Sequence, residues 1–119
     1  MAQSHDTGKR GEQLAVDYLV GHNYRILETN WQSNHQEVDI ISGKGGLLMI
    51  VEVKTRNSDY YGMPEVFVTR QKQRMLIKAA NHYVAMHELD KEVRFDIISI
   101  LFKGKEYELR HIKDAFFAY

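Results

Sequence analysis

The chain has 119 residues, enough to bury one hydrophobic core, and we predict a single domain over residues 1–119. Hydrophobic residues at 44%, charged residues at 27% and the absence of cysteine exclude extended disorder, a disulfide scaffold and a thiolate metal site. The formal net charge is zero, so there is no overall basic bias toward nucleic acid. No stretch resembles a signal peptide or a membrane span, and we expect a cytoplasmic protein without a membrane partner.

The first half of the chain predicts one helix and three strands. Thr7 is the expected N-cap of a helix to about Val20, which has apolar residues on one face. Strands are predicted at 24–31, 37–42 and 47–54, separated by a polar turn and a glycine-rich turn. The third strand begins with five consecutive apolar residues, which is typical of a central strand covered on both faces.

The second half predicts a helix followed by two strands. An irregular segment over 55–68 contains the only proline, and Thr69 is the expected N-cap of the helix. Strands follow at 93–101 and 106–112, joined by a turn that contains Gly104. This order predicts an α/β fold with a mixed central sheet flanked by helices.

Two carboxylates interrupt apolar strands in the predicted hairpin. If Gly45-Gly46 forms a two-residue turn, Asp39 faces Glu52; a four-residue loop instead places Asp39 diagonal to Glu52 at roughly 7–8 Å. Both registers put the two carboxylates on one face, and Lys54 shares the face of Glu52. Carboxylates at close range share a proton or bind a metal, and their oxygens suit Mg²⁺ or Mn²⁺. Taken alone, Glu52 and Lys54 also fit a solvated strand end.

The spacing of Asp39, Glu52 and Lys54 matches the PD-(D/E)XK nuclease motif, with Val38 in place of the proline. Further segments fit one ordered pattern: Gly8-x-x-Gly11-Glu12-x-x-Ala15, Asn30-Trp31, Glu37 to Ile41, Val51 to Arg56, Tyr61-Gly62, Lys72-Gln73, Arg94-Phe95-Asp96 and Asp114-Ala115-Phe116. From Gly8 to Phe116 the chain resembles the YraN-like family of small uncharacterised bacterial proteins, which is similar to archaeal Holliday-junction resolvases. Gln36 departs from a usual glycine and Gln32 from a usual basic residue.

This resemblance implies a restriction-endonuclease-like core with a nuclease site. Asp39 and Glu52 would be ligands of Mg²⁺ or Mn²⁺, and Lys54 would activate the attacking water or stabilise charge on the phosphate. Glu12 matches the helical acidic residue of the resolvases, which supports the metal site; from sequence alone a first-turn carboxylate facing the helix dipole is the favoured interpretation, and the resemblance reverses it. Glu37 is a secondary candidate ligand, and a solvated glutamate near a turn is its alternative.

Basic residues are concentrated in the middle of the chain, whereas acidic residues dominate its first forty positions. The candidate contacts to nucleic-acid phosphates are Arg56, Arg70, Lys72 and Arg74. A solvated helix face rich in Lys and Arg is equally compatible with the charge pattern.

The leading functional hypothesis is a metal-dependent endonuclease, a phosphodiesterase acting on DNA that is branched or otherwise structured. The alternative is a non-catalytic nucleic-acid-binding module or assembly factor that retains the nuclease fold. The six histidines show no ligand spacing, and each is interpreted as a surface or helix-end residue. Whether the chain forms a homodimer stays open.

Overall fold

A computed structural model describes residues 2–57 and 68–118, with side chains from Thr7 onward. The elements in chain order are α1 (Ala2–Gly21), β1 (Arg25–Ser33), β2 (Gln36–Lys44), β3 (Leu47–Asn57), α2 (Arg70–Met86), β4 (Glu92–Lys103) and β5 (Glu106–Phe116). Most of the predicted irregular segment over 55–68 lies outside the described residues.

The five strands form one sheet in the order β1-β2-β3-β4-β5. The β3–β4 pair is parallel and the other three pairs are antiparallel. A parallel pair requires a crossover connection, and α2 lies within that connection. The α/β class and the mixed sheet flanked by helices are therefore confirmed, and the architecture is compatible with a restriction-endonuclease-like core.

The β2–β3 hairpin has the shorter of the two predicted turns. Lys44 pairs with Leu47 and Ile40 with Val51, so Gly45-Gly46 is a two-residue turn. Gly45 has φ 62°, a conformation that glycine adopts without steric cost. The alternative four-residue loop is wrong, because it would pair each β2 residue with a β3 residue two positions from its observed partner.

The boundaries of α1, β3 and β5 differ most from the sequence predictions. Thr7 is not an N-cap, because α1 begins at Ala2 and continues through it; once a helix is formed, each further residue adds a backbone hydrogen bond even without an apolar face. β3 continues to Asn57 and β5 to Phe116, because each remains paired with β4. The cap at Thr69 is confirmed: its hydroxyl accepts a hydrogen bond from the backbone N–H of Lys72 at 3.2 Å.

The sheet separates two hydrophobic cores. Leu76, Ala79, Ala80 and Tyr83 of α2 pack on one face, against strand residues that include Val38, Ile50 and Ile97. Ala15 and Leu19 of α1 pack on the opposite face, against strand residues that include Ile40, Val51 and Ile98. Because each helix covers one face, β3 is apolar on both faces until Glu52. No helix in the described part of the chain combines the length and apolarity needed to cross a bilayer.

Candidate functional site

The regular alternation of β2 is interrupted at Asp39. Ile41 and Val38 both join the α2-side core, whereas Ile40 joins the α1-side core. Strict alternation would put residues 38 and 40 on the same face. The backbone of β1 is irregular at the same level, because Asn30 has φ 51° between the pairs Thr29–Ile40 and Trp31–Val38. The two strands therefore bend together at Asn30 and Asp39.

The bend separates β2 from β3 and places a carboxylate in the gap. The last described backbone pair between them is Ile40–Val51. Beyond it, Oδ2 of Asp39 accepts a hydrogen bond of 2.8 Å from the backbone N–H of Val53. A side-chain oxygen thus satisfies an amide that the partner strand no longer reaches. Asp39 is consequently held beside Glu52 without being its ladder partner.

Glu52 is the second acidic residue whose side chain is largely buried at this gap. Its side chain is only 12% exposed, and its Oε2 lies 3.7 Å from Nζ of Lys72 on α2. Its Oε1 is buried and accepts no hydrogen bond within the described residues. Two ionised carboxylates cannot donate to each other, so a shared proton or a cation is needed to satisfy this oxygen.

The environment favours the protonated form of this carboxylate pair. Burial raises the pKa of Glu52 to about 7, with the neighbouring Asp39 adding to the rise and the ammonium groups of Lys72 and Lys54 opposing it. Burial also raises the pKa of Asp39, against the lowering effects of the Val53 N–H, of the adjacent Glu52 carboxyl and of the Lys72 ammonium. Desolvation and like-charge repulsion act together here, as they do at many catalytic carboxylates.

Lys54 lies on the same strand face as Glu52, two residues further along β3, as predicted. It is half-buried, and its positive charge is close enough to lower the pKa of Glu52. An ammonium group in this position is available to a negatively charged ligand that reaches the carboxylate pair.

Glu12 approaches the same gap from the α1 side of the sheet. Gly11 permits this approach, because a Cβ at this position would lie 2.1 Å from Cγ2 of Thr55 on β3. Burial raises the pKa of Glu12, the charge of Asp39 adds to the rise, and a side-chain hydrogen bond with Asn30 lowers it. Glu12 therefore lies beside Asp39, as the sequence resemblance implied, and completes an acidic cluster of Glu12, Glu37, Asp39 and Glu52. The sequence motifs included Asn30 but assigned it no role.

A cleft of about 600 Å³ opens between α1 and the β1–β2 pair. Glu12, Asn30, Glu37 and Asp39 line it. Glu37 is exposed, and its charge contributes to the raised pKa values of Glu12 and Asp39. Glu12, Glu37 and Asp39 are thus accessible from the α1 face of the sheet, whereas Lys72 contacts Glu52 from α2.

The four predicted phosphate contacts fall into three environments. Lys72 contacts Glu52, so it is part of the acidic site itself. Arg70 and Arg74 are exposed on the first turns of α2 and lie one helical turn apart. Arg56 is half-buried near the end of β3, where its Nη1 donates a 2.8 Å hydrogen bond to the carbonyl of Thr55. Lys72 therefore belongs to the acidic site, whereas Arg70 and Arg74 face solvent.

The donor set suits a cation that retains part of its water. In the described part of the chain, no three His, Asp or Glu side chains converge tightly enough to enclose a metal ion. Asp39 and Glu52 supply two carboxylates, and the buried Oε1 of Glu52 has no hydrogen-bond partner among the residues that the structure describes. Mg²⁺ commonly binds through one or two carboxylates and several waters, so these residues fit it.

A second polar cluster was missed by the sequence analysis. Asp96 is 1% exposed and accepts hydrogen bonds from Nε and Nη2 of Arg94 at 2.9 and 2.8 Å. It also accepts from Nε2 of His111 at 2.8 Å and from the backbone N–H of Asp114 at 3.0 Å. Tyr18 from α1 contacts Nδ1 of His111 at 3.0 Å. The interpretation of His111 as a surface residue is wrong, because its side chain is 4% exposed. Only the β4–β5 register reveals this pairing.

The fold and the site define an α/β protein with a carboxylate–lysine cluster where two strands of a mixed sheet separate. Comparison with known proteins places it more narrowly. The chain belongs to the family described as "Uncharacterised protein family UPF0102", which matches residues 11–100. This agrees with the YraN-like family identified from the sequence motifs.

Relatives in this family span almost the whole chain. The UPF0102 protein FP2501 of Flavobacterium psychrophilum is 48% identical over 117 residues, covering 98% of each chain. The UPF0102 protein BF0634 of Bacteroides fragilis is 44% identical and covers 98% of this chain and 97% of its own. A UPF0102 protein of Geobacter metallireducens is 46% identical over 110 residues, covering 92% of this chain and 90% of its own.

Proposed function

We propose that this protein is a metal-dependent endonuclease of the PD-(D/E)XK superfamily, a phosphodiesterase acting on branched or structured DNA. The observation that carries the proposal is the convergence of Asp39 and Glu52 at the gap between β2 and β3, with Lys54 beside them. The motif spacing in the sequence and the mixed sheet agree with this activity. The DNA substrate class comes from the resemblance to resolvases.

Asp39 and Glu52 are the residues that would hold Mg²⁺ or Mn²⁺. When bound, such a cation polarises a phosphate oxygen and lowers the pKa of a coordinated water. A divalent cation would also neutralise the two carboxylates and supply a partner to the orphaned Oε1 of Glu52. Glu12 adds negative charge from α1, which increases the attraction for a cation.

Lys54 acts on the phosphate or on the attacking water. In hydrolysis, the water oxygen forms a bond to phosphorus, the bond to the leaving strand breaks, and the leaving oxygen takes up a proton. An ammonium at Lys54 stabilises the charge that develops on the phosphate, whereas a neutral amine would accept the proton of the water. Arg70 and Arg74 are exposed and supply sequence-independent contacts to neighbouring phosphates.

The direct test is cleavage of linear, flapped and four-way DNA in the presence of Mg²⁺ or Mn²⁺. We expect cleavage by the wild type and loss of cleavage in Glu52→Gln and Lys54→Ala. The matched controls are Glu106→Gln and Lys105→Ala, which change exposed residues at the β4–β5 turn and should cut normally. Equal cleavage by Glu52→Gln and the wild type would remove Glu52 from the mechanism.

One observation favours a second candidate, a non-catalytic nucleic-acid-binding module or assembly factor. Lys72 already places a positive charge 3.7 Å from Glu52, so the buried carboxylate is partly neutralised by the protein itself. A wild-type protein that binds branched DNA but cuts none of the three substrates with either metal would establish this candidate over the endonuclease.

A further inference from the structure

The cleft beside the acidic cluster has an open wall on α1. Gly8 lines this cleft, and a Cβ built on Gly8 would meet no atom of the described residues within 4 Å. Glycine inside a helix is unfavourable relative to alanine, so a packing reason is expected for it. Gly11 has such a reason in its close approach to Thr55, whereas no side chain among residues 7–57 and 68–118 packs against Gly8 in this way. Its backbone is instead exposed to whatever enters the cleft.

The size of the cleft sets a limit on its ligand. Its volume of about 600 Å³ falls within the range of small-molecule sites. A cube of this volume measures about 8 Å on a side, less than the roughly 12 Å width of the DNA major groove alone. The cleft therefore suits a single nucleotide unit and excludes a double helix.

The residues that line the cleft favour the base of a nucleotide over its phosphate group. Glu12, Glu37 and Asp39 present acceptor oxygens to the cleft, and with Lys9 as the one basic residue on the described lining their net negative charge disfavours a phosphate there. Carboxylates accept hydrogen bonds from the exocyclic amino groups of bases, as in the pairing of Asp or Glu with cytosine N4. The side-chain amides of Gln13 and Asn30 add donors and acceptors on the same lining.

The position of the cleft connects this base to the proposed reaction. Asp39 lines the cleft and also reaches the gap beside Glu52. The ammonium groups of Lys54 and Lys72 act on Glu52 from β3 and α2, outside this lining. A strand whose phosphate lies at the carboxylate pair can thus direct an adjacent base toward α1.

We propose that this cleft binds one unpaired base of a nucleic-acid strand against Gly8 in its α1 wall, with a preference for bases that carry an amino group. The subsite rests on the proposed function, because it receives the nucleotide next to the phosphate at Asp39 and Glu52. An unpaired nucleotide is available at flaps and junctions but not within an intact duplex.

The test compares two glycines of the same helix. Gly8→Leu fills the cleft, whereas Gly21→Leu adds the same side chain at the far end of α1, where a Cβ also meets nothing within 4 Å. The probes are fluorescein-labelled oligo-dC and oligo-dT of about 12 nucleotides, and fluorescence anisotropy measures their dissociation constants. Titrations at about pH 8 with Ca²⁺ keep the carboxylates ionised and reduce their repulsion of the strand.

We expect the wild type to bind oligo-dC about fivefold or more tightly than oligo-dT, because only cytosine has an amino donor. Gly8→Leu should weaken binding of oligo-dC about tenfold and remove the preference, and Gly21→Leu should remain within about twofold of wild type. Gly8→Ala provides a smaller intrusion with the same expected direction if the leucine variant does not fold. Oligo-rC distinguishes an RNA strand from a DNA strand as the occupant.

The base subsite and the endonuclease proposal fail under different experimental results. Equal binding of oligo-dC and oligo-dT by the wild type, or unchanged binding by Gly8→Leu, overturns the subsite even if the wild type cuts DNA. A base preference that Gly8→Leu abolishes supports the subsite even if the wild type cuts nothing, in which case the endonuclease proposal alone fails. A wild type that binds neither oligonucleotide overturns the subsite directly.

Discussion

Val53 donates its backbone N–H to Oδ2 of Asp39 at 2.8 Å, immediately beyond the last described backbone pair of β2 with β3. This bond holds one acidic residue in a gap between strands and next to a second acid, Glu52. Because the position of Asp39 depends on a local backbone contact, its charge can be changed without removing the anchor: asparagine retains the accepting oxygen.

The first prediction concerns pH and stability. Burial raises the pKa of Glu52 from 4.5 to about 7, so the folded state holds a proton that the unfolded state has already released between these values. Stability from this group is complete below about pH 4.5 and is lost as pH rises through about 7. The loss should be on the order of 2–3 kcal/mol.

Urea denaturation at about pH 5 and pH 8 measures this effect. Glu52→Gln should lack the loss between the two pH values, because the amide does not titrate. Glu106→Gln, at an exposed position on β5, should behave like the wild type. A Glu52→Gln variant whose stability falls as much as that of the wild type would contradict the assignment.

The second prediction concerns the metal. Calorimetry should detect Mg²⁺ or Mn²⁺ binding by the wild type and none by Asp39→Asn, because the substitution removes one anionic ligand. Mass action should also raise the melting temperature of the wild type on metal addition. Without metal, Asp39→Asn should melt above the wild type, since it relieves carboxylate repulsion and retains the Val53 contact. A lower melting temperature would argue against repulsion at this site.

The third prediction tests the packing of α1 on β3. Gly11→Ala should destabilise the fold by about 1–3 kcal/mol, because its Cβ would lie 2.1 Å from Cγ2 of Thr55. Thr55→Ser removes that methyl group and should restore much of the loss in the double variant. Gly21→Ala is the control, since its Cβ enters open space. Additive losses in a double-mutant cycle would show that Thr55 is not the obstacle.

The fourth prediction separates Lys72 from Arg74. Arg74 is exposed on α2, so Arg74→Ala should weaken DNA binding about equally for all sequences and reduce the salt slope by about one unit. Lys72→Ala should do the same and also raise the pKa of Glu52, because it removes the ammonium 3.7 Å from Oε2. Glutamate side-chain NMR titration of both variants measures the difference. An unchanged Glu52 pKa in Lys72→Ala would exclude the electrostatic contact.

The fifth prediction concerns the cluster around Asp96. Burial opposes ionisation of this carboxyl, but hydrogen bonds from His111, Arg94 and the Asp114 amide outweigh it and lower the pKa of Asp96. Asp96→Ala leaves Arg94 without its partner and should cost about 3–5 kcal/mol in urea denaturation. Because the folded-state pKa is lowered, the wild-type contribution should disappear as pH falls below about 4. A variant loss below about 1 kcal/mol would show that the ion pair contributes little.

The sequence indicated which residues approach each other in the site, but not how the backbone brings them there. Turn chemistry at Gly45-Gly46 and the apolar run of β3 predicted the hairpin, and its register is confirmed. The bend at Asn30 and Asp39 has no such signal, because a left-handed asparagine inside a strand is not apparent from hydrophobic alternation. The two-residue turn predicted that Asp39 would face Glu52 directly. It did not predict that Asp39 would accept a hydrogen bond from the backbone N–H of Val53.

Contacts between distant elements were the least predictable. Lys72 was expected only at nucleic-acid phosphates, because helical periodicity gives its face on α2 but not the strand residue that it reaches. Asp96 and His111 meet through the β4–β5 pairing, whose bulge between Phe95 and Ile97 shifts the register. Residue spacing along the sequence does not identify a histidine that hydrogen-bonds a carboxylate on the neighbouring strand.

The parallel pairing of β3 with β4 has a consequence for the order of folding. Lys44 and Leu47 are neighbours across a tight turn, whereas Leu47 and Glu92 meet only after α2 has crossed the sheet. Local hairpins close in microseconds and non-local pairings take longer, so we expect the β2–β3 hairpin to form before α2 docks. During that interval Asp39 and Glu52 lack the compensating charge of Lys72. The folding rate should therefore slow as pH rises through the titration of this pair.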